Sequence, residues 1–180
     1  QGRYVDDIAP ENALHAYFLR SDSAHADITA LDLTEARATP GVHAILTADD
    51  LLAQGVTLGM AFDLIDNRDG SEGAAPERPV LAQGRVRFVG EAIALILADN
   101  LHAAKDAAAL VDLQTRDLPV AMALGTQGPT IHPEAPGNHV FDYGIGQEDA
   151  TDAALAGSAH VVRLGVVHNR VIVNAMEPRG

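Results

Sequence analysis

The run Ala92-Ile93-Ala94-Leu95-Ile96-Leu97-Ala98 constrains the fold of this chain more than any other stretch. It is too short to span a bilayer, which takes about 18 apolar residues. It is too continuous for a strand with one face in water, so it reads as a central strand covered on both faces. Asp99 and Asn100 then cap the clearest helix of the chain, in which Leu101, Ala104, Ala108 and Val111 follow the helical repeat. Residues 113–118 read as another strand, ended by Pro119, so the three elements form a βαβ-like unit.

Shorter elements surround this unit. Residues 13–20, 27–33 and 42–46 read as strands. Thr34 is positioned to cap a short helix over 35–38, stopped by Pro40-Gly41. Thr47-Ala48-Asp49-Asp50 has the capping-box pattern of a second short helix. Residues 55–79, with the polar stretch Asp66-Asn67-Arg68-Asp69-Gly70-Ser71-Glu72-Gly73, read as a long exposed loop. Residues 85–89 make a short strand. The segment 125–137 holds three prolines and three glycines and reads as a linker. A strand at 140–143, a helix at 149–156 and a long strand at 159–173 follow. A boundary near residue 137 divides the chain into domains 1–137 and 138–180.

Composition narrows the function classes. The chain has 180 residues, 47% of them hydrophobic, enough for one domain with a core, or one domain plus a small appendage. A net charge of -13 and a single lysine, Lys105, argue against nucleic acid and anionic membrane as partners. With no cysteine, the chain supplies no disulfide, thiolate metal site or cysteine nucleophile. No basic-then-apolar leader is visible, so a cytoplasmic location is the expectation.

No motif amounts to a catalytic constellation. The eight histidines, at 15, 25, 43, 102, 132, 139, 160 and 168, lack the i, i+4 spacing of a helical metal site. They read as surface or hydrogen-bonded core residues, with His102 one turn from Asp106. Gly144-Ile145-Gly146 resembles half a dinucleotide fingerprint. It leads into Gln147-Glu148-Asp149, whose acids would repel a pyrophosphate and suit a helix start. Glu91, after Gly90 and before the apolar run, is a candidate acid or base if buried. Its plainer reading is a strand-start carboxylate bonded near Arg87. Glu177 and Arg179, in Met176-Glu177-Pro178-Arg179-Gly180, sit on a constrained turn. A structural Glu–backbone bond is the favoured reading of that turn. The strand that runs into it looks like an entrance to more protein, and its unpaired apolar edge predicts homo-oligomer formation.

Several phrases taken together resemble the large, molybdenum-binding subunit of the xanthine dehydrogenase, aldehyde oxidase and carbon monoxide dehydrogenase family. They are Gly2-Arg3-Tyr4-Val5-Asp6-Asp7-Ile8, Phe18-Leu19-Arg20-Ser21 with Ala24-His25-Ala26, and Pro40-Gly41-Val42 with Leu46-Thr47-Ala48-Asp49-Asp50-Leu51. Further along come Val86-Arg87-Phe88-Val89-Gly90-Glu91 with Ala94, then Ala104, Asp106-Ala107 and Leu118-Pro119, and finally Asn169-Arg170 with the Met176–Gly180 turn. Thr115, Arg116 and Gln147 depart from the family's usual residues.

The resemblance implies an α+β fold, the α/β-hammerhead, with a mixed sheet and a few packed helices over 1–137. Residues 138–180 would begin the molybdopterin-binding region. It implies a molybdopterin-dependent oxidoreductase in the longer protein, with iron–sulfur clusters and FAD on partner modules. In that family the cofactor loops and catalytic glutamate lie beyond Gly180, so no catalytic and no metal-binding residue is expected here. Glu177 is the one candidate on the cofactor side. The implied role is structural: completing the large subunit and packing against the remainder of it and against iron–sulfur and FAD subunits, inactive alone. The alternative is a non-catalytic interaction or scaffold module of the same fold.

Overall fold

A computed structural model describes residues 2–4, 7–8, 10–60, 64–125 and 128–169. The elements are β1 (His15–Arg20), β2 (Ala26–Asp32), α1 (Thr34–Arg37), β3 (Val42–Thr47), α2 (Ala48–Ala53), β4 (Arg85–Val86), β5 (Ala92–Ala98), α3 (Leu101–Ala109), β6 (Asp112–Asp117), a 3₁₀ turn at Pro136–Asn138 and α4 (Glu148–Ala156). They fall into two compact units, residues 12–143 and residues 1–11 with 144–180. The first holds both sheets.

The fold is α+β, and its described strands pair antiparallel throughout. One sheet has the order β1-β5-β3 and the other β4-β2-β6. The apolar run is indeed the centre of a sheet: β5 pairs with β1 on one side and β3 on the other. The βαβ-like expectation fails, because the strands before and after α3 join different sheets. A nine-residue helix between apolar strands fits either arrangement, and only long-range pairing decides between them.

Small side chains let α3 approach the first sheet. Ala104 and Ala107 are fully buried against Ala94, Ile96, Ala98 and Ile45. Of the expected stripe, Ala104 is buried and Ala108 and Val111 pack against the same core, whereas Leu101 is exposed. Asn100 caps α3 as expected, accepting from the Ala103 backbone N–H at 2.9 Å. Thr47 and Asp50 form the expected capping box on α2. Thr34 does not cap α1. The Asp32 carboxylate does that work, accepting from the Thr34 N–H at 2.8 Å. Hydrogen bonding by the Thr34 side chain, then by its N–H, holds the Asp32 pKa below the usual aspartate range.

A register shift between Leu19 and Arg20 leaves Ile93 as the extra residue of a β-bulge in β5. Ile93 packs into a second core with Ala26, Ala82 and Val86, whereas Ala94, Ile96 and Ala98 belong to the first. One strand thereby serves both cores.

Sheet two is held by charge as well. Asp27 on β2 faces Arg85 on β4 and Arg116 on β6. Arg85 Nε and Arg116 Nη2 each donate to its carboxylate at 2.7 Å. These bonds, from Arg116 first and then Arg85, lower the Asp27 pKa. A carboxylate depressed in the folded state stabilises it above the unfolded pKa, roughly 3.9 for aspartate, and less as pH falls through the folded value. Asp27→Asn is expected to destabilise the chain in urea at pH 7, with the difference from the parent shrinking steadily below pH about 4. Melts at several pH values check this, and a constant difference would contradict it.

Three expected strands are absent or shortened. The strand at 85–89 ends at Val86, because Gly90 takes a φ of +89° and the chain turns over 87–90. Residues 140–143 instead accept from the long loop, with Val140 O bonded to Ala74 N and Asp142 O to Arg68 N. The described part of the expected terminal strand, residues 159–169, makes no strand and is exposed. Its remainder, with the Met176–Gly180 turn, lies outside the described residues. The long loop at 55–79 is as expected, with isolated bridges Gly59–Pro79 and Asp66–Glu72.

Candidate functional site

The chemistry-bearing residues singled out from the sequence converge where the ends of β1, β2, β4 and β5 meet. Ser21 follows β1, His25 precedes β2, Arg87 follows β4 and Glu91 precedes β5. Backbone bonds tie these ends: Ser21 N donates to Glu91 O at 2.9 Å, and Gly90 N donates to Ser21 O at 2.7 Å.

Glu91 is buried, with 4% of its surface exposed. Its carboxylate accepts the backbone N–H of Arg87 across the turn. The sequence pointed to the right pair of residues but to the guanidinium rather than the main chain. A buried carboxylate holding a turn closed is positioning chemistry, not acid–base chemistry.

His25 is 5% exposed. Its Nδ1 lies 2.7 Å from the Pro119 carbonyl oxygen, which can only accept, so Nδ1 carries the proton. The His25 carbonyl takes the Leu118 N–H at 2.8 Å. His25 therefore fastens the chain after β6 to the start of β2. Its Nε2 and the Arg87 Nε are buried without a hydrogen-bond partner among the described residues. In this tautomer the first is an acceptor, and the second is a donor. Burial, then the neighbouring Arg87 guanidinium, lowers the pKa of nearby His132, which keeps that imidazole neutral at pH 7.

The other histidines do not join this cluster. His43 Nε2 sits 2.6 Å from Asp99 Oδ1 on an exposed face, and His15, His102, His139, His160 and His168 are exposed. No bond joins His102 to Asp106 among the described residues. No group of three or more metal-ligating side chains occurs among them. Glu148 and Asp149 occupy the first turn of α4 as expected, and Gly146 has the positive φ of a turn. Glu177 and Arg179 lie outside the described residues.

A concavity of about 340 Å³ beside β2 is lined by Leu31, Arg37, Thr47, Asp49, Gln83 and others. Its polar groups bond one another: Gln83 Nε2 donates to Asp49 Oδ1 at 2.9 Å, Thr47 to Asp50 at 2.7 Å. Sequence reasoning missed the feature on the outer side of the 87–90 turn, where Phe88 and Val89 stand 58% and 64% exposed. Their apolar character was visible, but it read as strand. No helix among the described residues is long and apolar enough to cross a membrane.

The chain is similar to known proteins in sequence and in fold. The family model for the aldehyde oxidase and xanthine dehydrogenase a/b hammerhead domain matches residues 1–119. The nicotine 6-hydroxylase large subunit of Paenarthrobacter nicotinovorans is 34% identical across 100% of this chain and 22% of its own length. The carbon monoxide dehydrogenase large chain of Hydrogenophaga pseudoflava is 31% identical over 95% of this chain and 22% of its own. Among solved structures, a Cu,Mo-CO dehydrogenase in its carbon monoxide reduced state superposes with a TM-score of 0.69 at 29% identity, covering 88% of this chain and 21% of that one. The chain thus spans about a fifth of the length of these relatives.

Proposed function

We propose a role on one premise: this chain belongs to the aldehyde oxidase and xanthine dehydrogenase a/b hammerhead family. Its homologues are large subunits of oxidoreductases. We assign it to the large subunit of a molybdenum hydroxylase, as a structural module that packs against the rest of that subunit and against iron–sulfur and FAD subunits. The cofactor is molybdopterin-type and supplies the redox chemistry.

The described residues do not fit that cofactor. Its phosphate would need converging cations or backbone N–H groups. At the site, Arg87 has its Nε buried. The groups the described residues place beside Arg87 and His132 are His25 and the carboxylates Glu91 and Glu134, which would repel a phosphate. No redox step is therefore assigned to these residues. Glu177 keeps its place as the candidate cofactor-side residue on the sequence resemblance alone.

One observation carries the structural role. Among the described residues the buried polar side chains brace the backbone, through Glu91 on the Arg87 N–H, His25 on the Pro119 carbonyl and Ser21 Oγ on the Ser23 carbonyl. A panel of aldehydes, purines and N-heterocycles with an artificial electron acceptor tests the assignment. The full-length protein with its partners is expected to reduce the acceptor, and the 180-residue chain alone is not. Oxidation by the isolated chain would overturn the structural role.

A further inference from the structure

We propose that the 87–90 turn is an anchor that inserts Phe88 and Val89 into an apolar socket with a carboxylate rim on a separate subunit of the assembly. The inference deepens the packing role and rests on that reading.

Phe88 and Val89 are 58% and 64% exposed, and Phe18 is 41% exposed. Arg20 joins them into one patch: its Nη1 donates to the Gly90 carbonyl at 2.8 Å and its guanidinium lies 5.5 Å from the centre of the Phe18 ring. A contiguous apolar patch on a folded surface marks an interaction site more often than scattered exposed residues do.

Five bonds fix the turn: Glu91 carboxylate to Arg87 N–H, Glu91 N–H to Phe88 O, Gly90 N–H to Ser21 O, Ser21 N–H to Glu91 O, and Arg20 to Gly90 O. Gly90 at φ +89° gives a conformation that a residue with a side chain rarely adopts. Two large apolar side chains held on a turn this well braced lose little backbone freedom on docking, which favours affinity.

The chain carries -13, yet no carboxylate forms an ion pair with Arg20 among the described residues. A cation without an ion-pair partner among the described residues, at the rim of an apolar patch on an otherwise acidic chain, matches a partner with Asp or Glu around its socket. The same net charge opposes docking of a second copy of this chain. Relatives are named as large subunits and large chains, so smaller partner chains exist in their assemblies.

The test places p-benzoylphenylalanine at position 88 of the full-length protein and irradiates the purified assembly. Mass spectrometry is expected to find crosslinks in one peptide of a different polypeptide, apolar and flanked by Asp or Glu. Arg20→Glu is expected to lower the crosslink yield roughly tenfold, and Phe88→Ser to weaken subunit affinity roughly 30-fold, with the melting temperature of the isolated chain unchanged. Crosslinks confined to the same polypeptide, crosslinks to a second copy, or none at all would overturn the proposal. Metal content separates this failure from that of the broader reading. Molybdenum without a crosslink removes only the anchor. A crosslink without molybdenum keeps the anchor and removes the oxidoreductase assignment.

Discussion

Ile96→Ala is expected to lower the unfolding free energy by about 2–5 kcal/mol. Ile96 is fully buried at the middle of β5, opposite Tyr17 on β1 and Ile45 on β3. It packs with Ala94, Ala98, Ala104 and Ala107, which are small and already close. Neighbours that cannot extend into a vacancy leave most of it open, so the loss belongs to the upper part of that range. Leu124→Ala provides the comparison: Leu124 is 90% exposed, and its loss is expected to change stability by less than about 0.5 kcal/mol. Urea unfolding of the parent and both variants measures the two values. Equal effects would mean that β5 is not the centre of the core.

The same strand shows what the sequence discloses. A run of seven apolar residues without a charge reads as a central strand, and the structure pairs it on both sides, but only one face is buried, by Ala94, Ile96 and Ala98, while Leu95 and Leu97 are half-buried on the other. Local chemistry was equally legible. Asn100 and the Thr47–Asp50 box are caps whose partners lie within three residues. Distant partners were not. His25 bonds a carbonyl 94 positions away, and nothing around it in the chain specifies that contact. Arg116, a departure from the family's usual residue, proves to be a cross-strand partner of Asp27, 89 positions apart. Strand pairing is of this kind too, which is why the helix between β5 and β6 suggested a parallel unit when the strands belong to separate antiparallel sheets.

Two misreadings share another cause. Residues 87–89 and 140–143 have the apolar, aromatic composition of strands, but neither joins a sheet. The first bends away at Gly90, and the second meets the long loop through bonds to Asn67, Arg68 and Ala74. Composition registers the wish to leave water, not the partner that satisfies it. At Phe88 and Val89 the side chains remain exposed, so the strand-like signal pointed to an interface rather than to the core. The site was legible in its members, Glu91, Arg87 and His25, and illegible in its purpose. Their bonds go to backbone groups, and a sequence does not say which carbonyl or N–H a side chain will find.

The most direct test of the molybdenum-hydroxylase assignment is the metal content of the full-length protein, purified with its partner subunits and measured by mass spectrometry beside the 180-residue chain. The account predicts about one molybdenum per large subunit together with iron in the complex, and neither metal in the chain alone. A fully assembled complex without molybdenum would contradict it and leave a hammerhead module serving as a scaffold without redox chemistry.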